Sequence, residues 1–209
     1  PAYSMMPRTF GAHDDYSSYQ NYDPTGAAQL MAEAGYPKGR GFPTVEMWLR
    51  QASPETKLAA EAIQAMLSEH LGMRITFRSA DYPVFTETMF KGNIQIGLVP
   101  FFADYRDPKN MLDMIWRPGE PGRARHDFEN DEFTRLLNAA DNEANGTTRM
   151  DIYRQAEQIL VSESAAAFVY HAVQNTLFKP WMRGLKKNKL GGTTFKITDL
   201  YIGKGFMNR

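Results

Sequence analysis

The strongest constraint on the fold is an alternation of strand-like and helix-like segments between residues 45 and 99. Residues 45–50 and 73–77 alternate apolar and polar side chains, and residues 94–99 form an apolar run typical of a buried strand. The stretches between them, 54–71 and 82–90, carry apolar residues at helical spacing. Consecutive β-α-β-α-β units form parallel sheets covered by helices. The sequence therefore predicts an α/β fold with a mainly parallel sheet flanked by helices.

Capping residues mark where the first helices begin and end. Asp23 followed by Pro24 predicts the start of a helix that Gly35 ends. Ser53 predicts the start of a second helix that Gly72 ends. On this second helix we expect a buried face formed by Leu58, Ala59, Ala62, Ile63, Met66, Leu67 and Leu71.

The second half of the chain is mainly helical by the same criteria. We expect a helix over residues 109–116, another capped by Asn130, and a third that begins with a capping box at Thr148 and Asp151. Residues 165–173 read as a buried strand. The apolar residues expected to face inward on the last two helices are Phe133, Leu136, Leu137, Ala140, Ile152, Tyr153, Ala156, Ile159 and Leu160.

Composition excludes several function classes. A chain of 209 residues suits one domain or one and a half, and its 24 Lys plus Arg balance 24 Asp plus Glu, so no net field favours nucleic acid or an anionic membrane. The cluster of Lys186, Lys187 and Lys189 is interpreted as a solvated turn. There is no cysteine, which excludes disulfides and thiolate metal sites. No apolar run reaches the roughly 20 residues that span a bilayer. Because the chain starts at Pro1, we expect it to begin inside a longer protein or at a processed end.

No pattern for catalysis or metal binding stands out. The four histidines, His13, His70, His126 and His171, lack the i, i+4 spacing of helical zinc sites, and His70 and His171 are interpreted as structural. Neither a phosphate-binding glycine loop nor a Gly-x-Ser-x-Gly elbow is present. We therefore expect no enzyme, no cofactor and no metal, although a hydrolase with an unrecognised carboxylate pair remains open.

The segment 101–108, FFADYRDP, follows an apolar strand directly. In open α/β sheets, ligands bind beyond the carboxyl ends of the strands. One hypothesis is that Phe101, Phe102 and Asp104 contact a ligand there, the carboxylate neutralising an ammonium group. In the other interpretation, Asp107 caps a helix and the two phenylalanines are buried in the core. The residues alone leave both open.

Arg50 closes the first predicted strand and should face the same edge of the sheet. An arginine at that edge is able to hold a carboxylate through two parallel hydrogen bonds. The alternative is a surface arginine without a ligand.

In order and spacing, these segments resemble the oligopeptide- and dipeptide-binding class of periplasmic solute-binding proteins, which serve ABC importers. The resemblance covers almost the whole chain, through residues 22–50, 59–73, 101–112, 130–140, 149–171 and 177–185.

The resemblance implies a non-enzymatic receptor of two lobes that closes on a short peptide for uptake. Residues 1–173 look like its carboxyl-terminal ligand-binding lobe, and residues 174–209 like the return segment towards the missing first lobe. The implied partners are a short peptide or similar zwitterion, an ABC permease and that first lobe. We expect a monomer without nucleic acid, either periplasmic or lipid-anchored at the cell surface. The isolated lobe should bind ligand weakly or not at all.

The resemblance also assigns roles to particular residues. Asp104 matches the aspartate that pairs with the amino terminus of the peptide, and Arg50 the arginine that takes its carboxylate. Phe101 occupies a position that is usually tryptophan. Leu98 and Met89 lie where some long-peptide binders have arginines, so ligand length stays open, as does a sugar, opine or metal complex as the ligand. The expected ligand-binding residues are Asp104, Arg50, Phe101, Phe102 and Tyr105.

Overall fold

The structure, a computed structural model, describes residues 1–50, 53–119, 128–173, 175, 177–187, 193–194 and 197–203. The α-helices in these ranges are α1 Pro24–Glu33, α2 Pro54–Leu71, α3 Tyr82–Phe90, α4 Pro108–Trp116, α5 Asp131–Asn142 and α6 Gly146–Ser162. The strands are β1 Val45–Arg50, β2 Ile75–Ala80, β3 Ile96–Leu98, β4 Met182–Arg183, β5 Lys186–Lys187, β6 Thr193–Thr194 and β7 Tyr201–Ile202. Short 3₁₀ turns lie at Pro37–Gly39 and Ile197–Asp199.

The main sheet has the order β2-β1-β3, and both pairings are parallel. The central strand β1 buries Val45, Met47, Trp48 and Leu49, as expected for a strand covered on both faces. The predicted α/β fold with a parallel sheet is therefore confirmed. β1 to β3, with α1 to α3, are called the sheet layer below.

β3 is shorter and more exposed than its apolar sequence predicts. Its three residues, Ile96–Leu98, pair only with β1 among the described residues, and none of them is buried. The prediction of a strand inside the sheet is wrong for this part of the chain, because an apolar run does not specify how many neighbours a strand has.

The ends of α2 agree with the capping prediction, but its buried face agrees only in part. Ser53 accepts a hydrogen bond from the Thr56 N–H, and Gly72 ends the helix with a φ of 68°. A Cβ at Gly72 would lie 2.2 Å from the Lys38 carbonyl oxygen, so only glycine fits this approach of two chain segments. Leu58 and Met66, predicted to be inward, are 68% and 48% exposed. Ile63 and Leu67, also predicted to be inward, do pack on the sheet, together with Ala60.

Helices α4, α5 and α6 pack together with residues 1–16 to form what we call the helical body. All four residues predicted to face inward on α5 are buried, and Tyr153, Ala156 and Leu160 of α6 are almost completely inaccessible. α6 begins earlier than predicted, because Asn145 and not Thr148 accepts the capping hydrogen bonds. The core of the helical body is formed by Met6, Phe10, Ala12, Met111, Leu112, Ile115, Trp116, Phe133, Leu136, Leu137, Ala140, Tyr153, Ala156 and Leu160.

Residues 165–173 do not form the predicted strand. They run beside the start of the chain, where the Ala2 N–H donates to the Val169 carbonyl and His171 Nε2 lies 3.1 Å from the Ser4 carbonyl oxygen. Val169 and Tyr170 are 39% and 52% exposed. A strand needs a ladder of such bonds, and the described residues supply one backbone pairing, so the apolar composition of this segment was misleading.

The region after residue 174 contains two small antiparallel pairs, β4 with β7 and β5 with β6. The strand predicted near residues 199–203 is present as β7. Several positions lie outside the described residues: Gln174, at the predicted boundary, and His126, Lys189, Gly191 and Gly192. Of the helices in the described ranges, none combines the length and the hydropathy needed to cross a bilayer.

Candidate functional site

The carboxyl ends of β1 and β3 bring Arg50 next to the segment that follows β3. Arg50 Nη2 donates a hydrogen bond of 2.8 Å to the Pro100 carbonyl, and the guanidinium carbon lies 5.1 Å from the centroid of the Tyr82 ring. Arg50 thus lies at the predicted edge of the sheet. We call residues 100–107 the edge loop.

The edge loop is attached to the start of the chain by Arg106. Its Nε donates a hydrogen bond of 2.7 Å to the Thr9 carbonyl oxygen, and its Nη2 contacts the same oxygen. A guanidinium with two of its N–H groups on one acceptor restricts the orientation of the loop. The loop is therefore held against the helical body as well as against Arg50.

A second attachment is the ion pair between Asp107 and Arg149. The two nitrogens Nη1 and Nη2 of Arg149 donate to the two oxygens of Asp107, each at 2.8 Å, and Nη2 also donates to the Tyr153 hydroxyl at 2.9 Å. Asp107 at the same time caps α4 by accepting from the Lys109 N–H. A bidentate pair of this kind fixes geometry more strongly than a single contact.

Electrostatics around this ion pair favour its charged form. Partial burial opposes ionisation of Asp107, but the hydrogen bonds from Arg149 and the Lys109 N–H outweigh it, so its pKa lies below the usual value. The hydrogen bond to Asp107 raises the pKa of Arg149. Burial raises the pKa of Tyr153 to about 12, so its hydroxyl stays protonated at neutral pH.

A third attachment reaches the backbone of Asp104 itself. Asn110, on the first turn of α4, is fully buried, and its Oδ1 accepts a hydrogen bond of 2.9 Å from the Asp104 N–H. The position of the Asp104 backbone is thereby fixed from inside the protein.

Phe102, Asp104 and Tyr105 are among the exposed residues of the edge loop. Phe102 and Tyr105 are 71% and 44% exposed, and Asp104 is exposed between them. Within the described part of the chain, no hydrogen bond or ion pair involves the Asp104 carboxylate. Phe101 is half-buried and packs against the helical body. The edge loop thus presents one accessible carboxylate and two aromatic rings on a fixed backbone.

The alternative interpretation from the sequence is correct in part. Asp107 does cap a helix, and Phe101 does pack on the core, but Phe102 does not. The capping role of Asp107 and the exposure of Asp104 are compatible, because the Asp107 carboxylate is held by Arg149 and the Lys109 N–H, whereas Asp104 is exposed.

Sequence reasoning missed Arg106, Asn110 and Arg149, three of the residues that hold the edge loop. Arg149 lies 42 positions beyond Asp107, and no local pattern indicates this pairing. Asn110 follows the Asp-Pro cap by two positions, and a polar side chain among the apolar residues of α4 was the one available signal. The described residues contain no group of histidines and carboxylates placed to hold a metal ion.

Comparison with known proteins connects this geometry to a family. The family model described as bacterial extracellular solute-binding proteins, family 5 Middle, matches residues 1–123, more than half of the chain. The matched region contains the whole sheet layer, the edge loop and α4.

Similar proteins cover most of this chain. The chain is 30% identical over 202 residues to "Heme-binding protein A" of Haemophilus influenzae, covering 93% of this chain and 36% of that protein. It is 28% identical to "Periplasmic oligopeptide-binding protein OppA" of Salmonella typhimurium, covering 85% and 32%. A crystal structure of a periplasmic oligopeptide-binding protein from Borrelia burgdorferi superposes with a TM-score of 0.72 at 25% identity, covering 80% of this chain and 33% of that one. The chain thus spans about a third of the length of its relatives.

Proposed function

Because this chain belongs to family 5 of the bacterial extracellular solute-binding proteins, we propose that it forms the carboxyl-terminal, ligand-contacting lobe of a receptor that captures short peptides for an ABC importer. The receptor is not an enzyme in this proposal and works outside the cytoplasm, free or anchored to a surface. Residues 1–173 belong to the lobe, and residues 174–209 return towards the other lobe. The oligopeptide-binding relatives support the ligand class.

The observation that carries the proposal is the exposed Asp104 carboxylate on a loop that three other side chains hold in place. An ammonium group that replaces water around this carboxylate gains a charge-assisted hydrogen bond. Because the backbone is already ordered, binding loses little conformational entropy at this point. The amino terminus of a peptide is the ligand group that fits this description best.

The other end of the ligand is assigned to Arg50. Its guanidinium lies at the same edge of the sheet as the edge loop, and its contact with the Pro100 carbonyl fixes its orientation. A guanidinium is able to hold the carboxylate of a short zwitterion through two parallel hydrogen bonds. Phe102 and Tyr105 offer aromatic surface to the side chains of the ligand, and Phe101 packs against the core of the helical body.

The test is isothermal calorimetry on the full-length protein that carries this chain, with tripeptides as ligands. Asp104→Asn should weaken binding roughly 10- to 150-fold, the equivalent of about 1.5 to 3 kcal/mol. Glu61→Gln is the matched control, because Glu61 is an exposed carboxylate on α2, in the sheet layer, and its loss should leave affinity unchanged. Equal affinities of the wild type and Asp104→Asn would reject the proposal.

A second candidate ligand is a metal complex such as haem, which the name of the relative from Haemophilus influenzae favours. The exposed rings of Phe102 and Tyr105 would then stack on a flat macrocycle. Titration of the same full-length protein with hemin, followed by absorption spectroscopy, separates this candidate from peptide binding. A saturable spectral change without peptide affinity would support the haem candidate over the peptide one.

A further inference from the structure

Asn110 is a buried polar side chain on α4, next to apolar residues of the core. Its exposed fraction is 0%, and its neighbours Met111 and Leu112 are also buried. Its Oδ1 accepts from the Asp104 N–H at 2.9 Å, and its own N–H donates to the Asp107 carbonyl at 3.0 Å. Within the described residues, Nδ2 of this amide has no hydrogen-bond partner.

Burying a side-chain amide costs free energy unless its groups are hydrogen-bonded. An apolar residue of similar volume would avoid that cost but would leave the Asp104 N–H without its acceptor. Positions that break the packing rules in this way are typical of functional sites. The buried amide is therefore tied to its hydrogen bond with the Asp104 backbone.

The residue type is narrowly defined by the contact. The contact needs an acceptor oxygen at the end of a side chain as long as that of asparagine. Leucine has no acceptor, and glutamine is one methylene too long. Aspartate retains the acceptor but introduces a buried charge. Asparagine is the residue that supplies the oxygen without the charge.

We propose that Asn110 is a positioning residue for ligand binding, whose buried amide fixes the Asp104 backbone so that the exposed carboxylate meets the ammonium group of the peptide. This inference rests on the proposed function, because it assigns the geometry of the same site. Asn110 itself does not touch the ligand. It holds the Asp104 backbone in one conformation before the ligand arrives, so less conformational entropy is lost on binding.

The proposal predicts a selective defect. In the full-length protein, Asn110→Leu should lower the affinity for a tripeptide with a free amino terminus about tenfold. It should change the affinity for the N-acetylated tripeptide less than about twofold, because that ligand does not use the Asp104 contact. In an Asp104→Asn background, Asn110→Leu should likewise lower the affinity for the free tripeptide by less than about twofold. Asn110→Asp, which keeps the acceptor oxygen, should recover part of the lost affinity.

The outcomes separate this inference from the proposed function. Hydrogen exchange should show that the Asp104 amide is protected in the wild type and unprotected in Asn110→Leu. Equal losses for free and acetylated peptides, or fully additive losses with Asp104→Asn, would overturn the positioning role and leave the proposed function standing. A wild type that binds no peptide would overturn both.

Discussion

The helical body and the sheet layer differ in how completely they bury their apolar side chains. In the helical body, Phe133, Leu112 and Leu160 are fully inaccessible, and the core extends across three helices and the start of the chain. In the sheet layer, Leu58 and Leu30 are 68% and 66% exposed, and the core is a small cluster on one side of α2. The two regions contribute to the candidate site in different ways.

The sheet layer supplies strand ends, and the helical body supplies the groups that hold the edge loop still. Asn110 and Arg149 belong to the helical body, and each contacts an aspartate of the edge loop. A well-packed region can hold a loop in one geometry because its own side chains have few alternative positions. In the proposed function, the helical body therefore sets the orientation of the ligand.

The largest expected effect is a difference in stability between core substitutions in the two regions. Phe133→Ala should destabilise the chain by about 3 to 5 kcal/mol, because it opens a cavity in a dense core. Leu58→Ala, in the sheet layer, should change stability by less than about 0.5 kcal/mol, because the side chain is already in water. Urea denaturation of both variants checks this, and equal losses would contradict the contrast between the regions.

The next effect is a dependence of stability on pH that arises in the helical body. Glu157 is fully buried with its Oε1 accepting from the Met6 N–H, and burial raises its pKa to about 7. The pKa of Glu157 is higher in the folded state than its usual value near 4.5. The stability that Glu157 contributes is therefore fully present below pH 4.5 and is lost as pH rises through 7. The loss amounts to about 3 kcal/mol.

Glu157→Gln isolates this contribution, because it keeps the hydrogen-bond acceptor and removes the titration. The difference in unfolding free energy between variant and wild type, measured from pH 4 to pH 8, should grow in favour of the variant as pH rises. Burial lowers the pKa of His171, so stability from His171 rises with pH up to the usual pKa of histidine. Wild type and variant share this contribution, and it cancels in the difference between their unfolding free energies. A flat difference curve would show that Glu157 does not titrate in this range.

A smaller effect is expected from the ion pair that braces the edge loop. Arg149→Met should cost about 2 kcal/mol of stability, because it leaves the partly buried Asp107 without its partner. Arg135→Met is the control, since the Arg135–Glu132 pair is mostly exposed and solvent screens its charges. Thermal unfolding of the two variants should give a clear loss for the first only. Similar values would mean that solvent screens both pairs equally.

The smallest effect should be the same in both regions. Asn145→Ala in the helical body and Ser53→Ala in the sheet layer each remove an exposed helix cap, at about 1 kcal/mol apiece. Thr148→Ala, at the position the sequence suggested, should cost less than about 0.5 kcal/mol. Denaturation midpoints that differ strongly between the two cap variants would show that the regions differ in more than burial.

The sequence was most informative where structure depends on local chemistry. The caps at Asp23, Ser53 and Asn130 are correct, and so are the parallel strands, because capping and periodicity act within a few residues. The buried face of α2 was misjudged because Leu58 and Met66 share the helical spacing of the residues that do pack. Periodicity identifies an apolar stripe but not what covers it.

The candidate site was predictable only in part for the same reason. Arg50 at the end of β1 and the exposed loop after β3 follow from strand order, which the sequence pattern implies. The contacts of Asn110 and Arg149 depend on tertiary packing between α4, α6 and the edge loop. No spacing rule encodes such contacts. The roles of Asp104, Arg50 and the aromatic residues in ligand binding remain predictions.

The most direct test of the central claim is a crystal structure of the full-length protein with a bound tripeptide. The account predicts that the ammonium nitrogen of the ligand lies about 2.7 to 2.9 Å from an Asp104 carboxylate oxygen. It also predicts that the hydrogen bond from the Asp104 N–H to Asn110 is intact in the complex. A ligand whose amino terminus is held elsewhere, with Asp104 facing solvent, would contradict it.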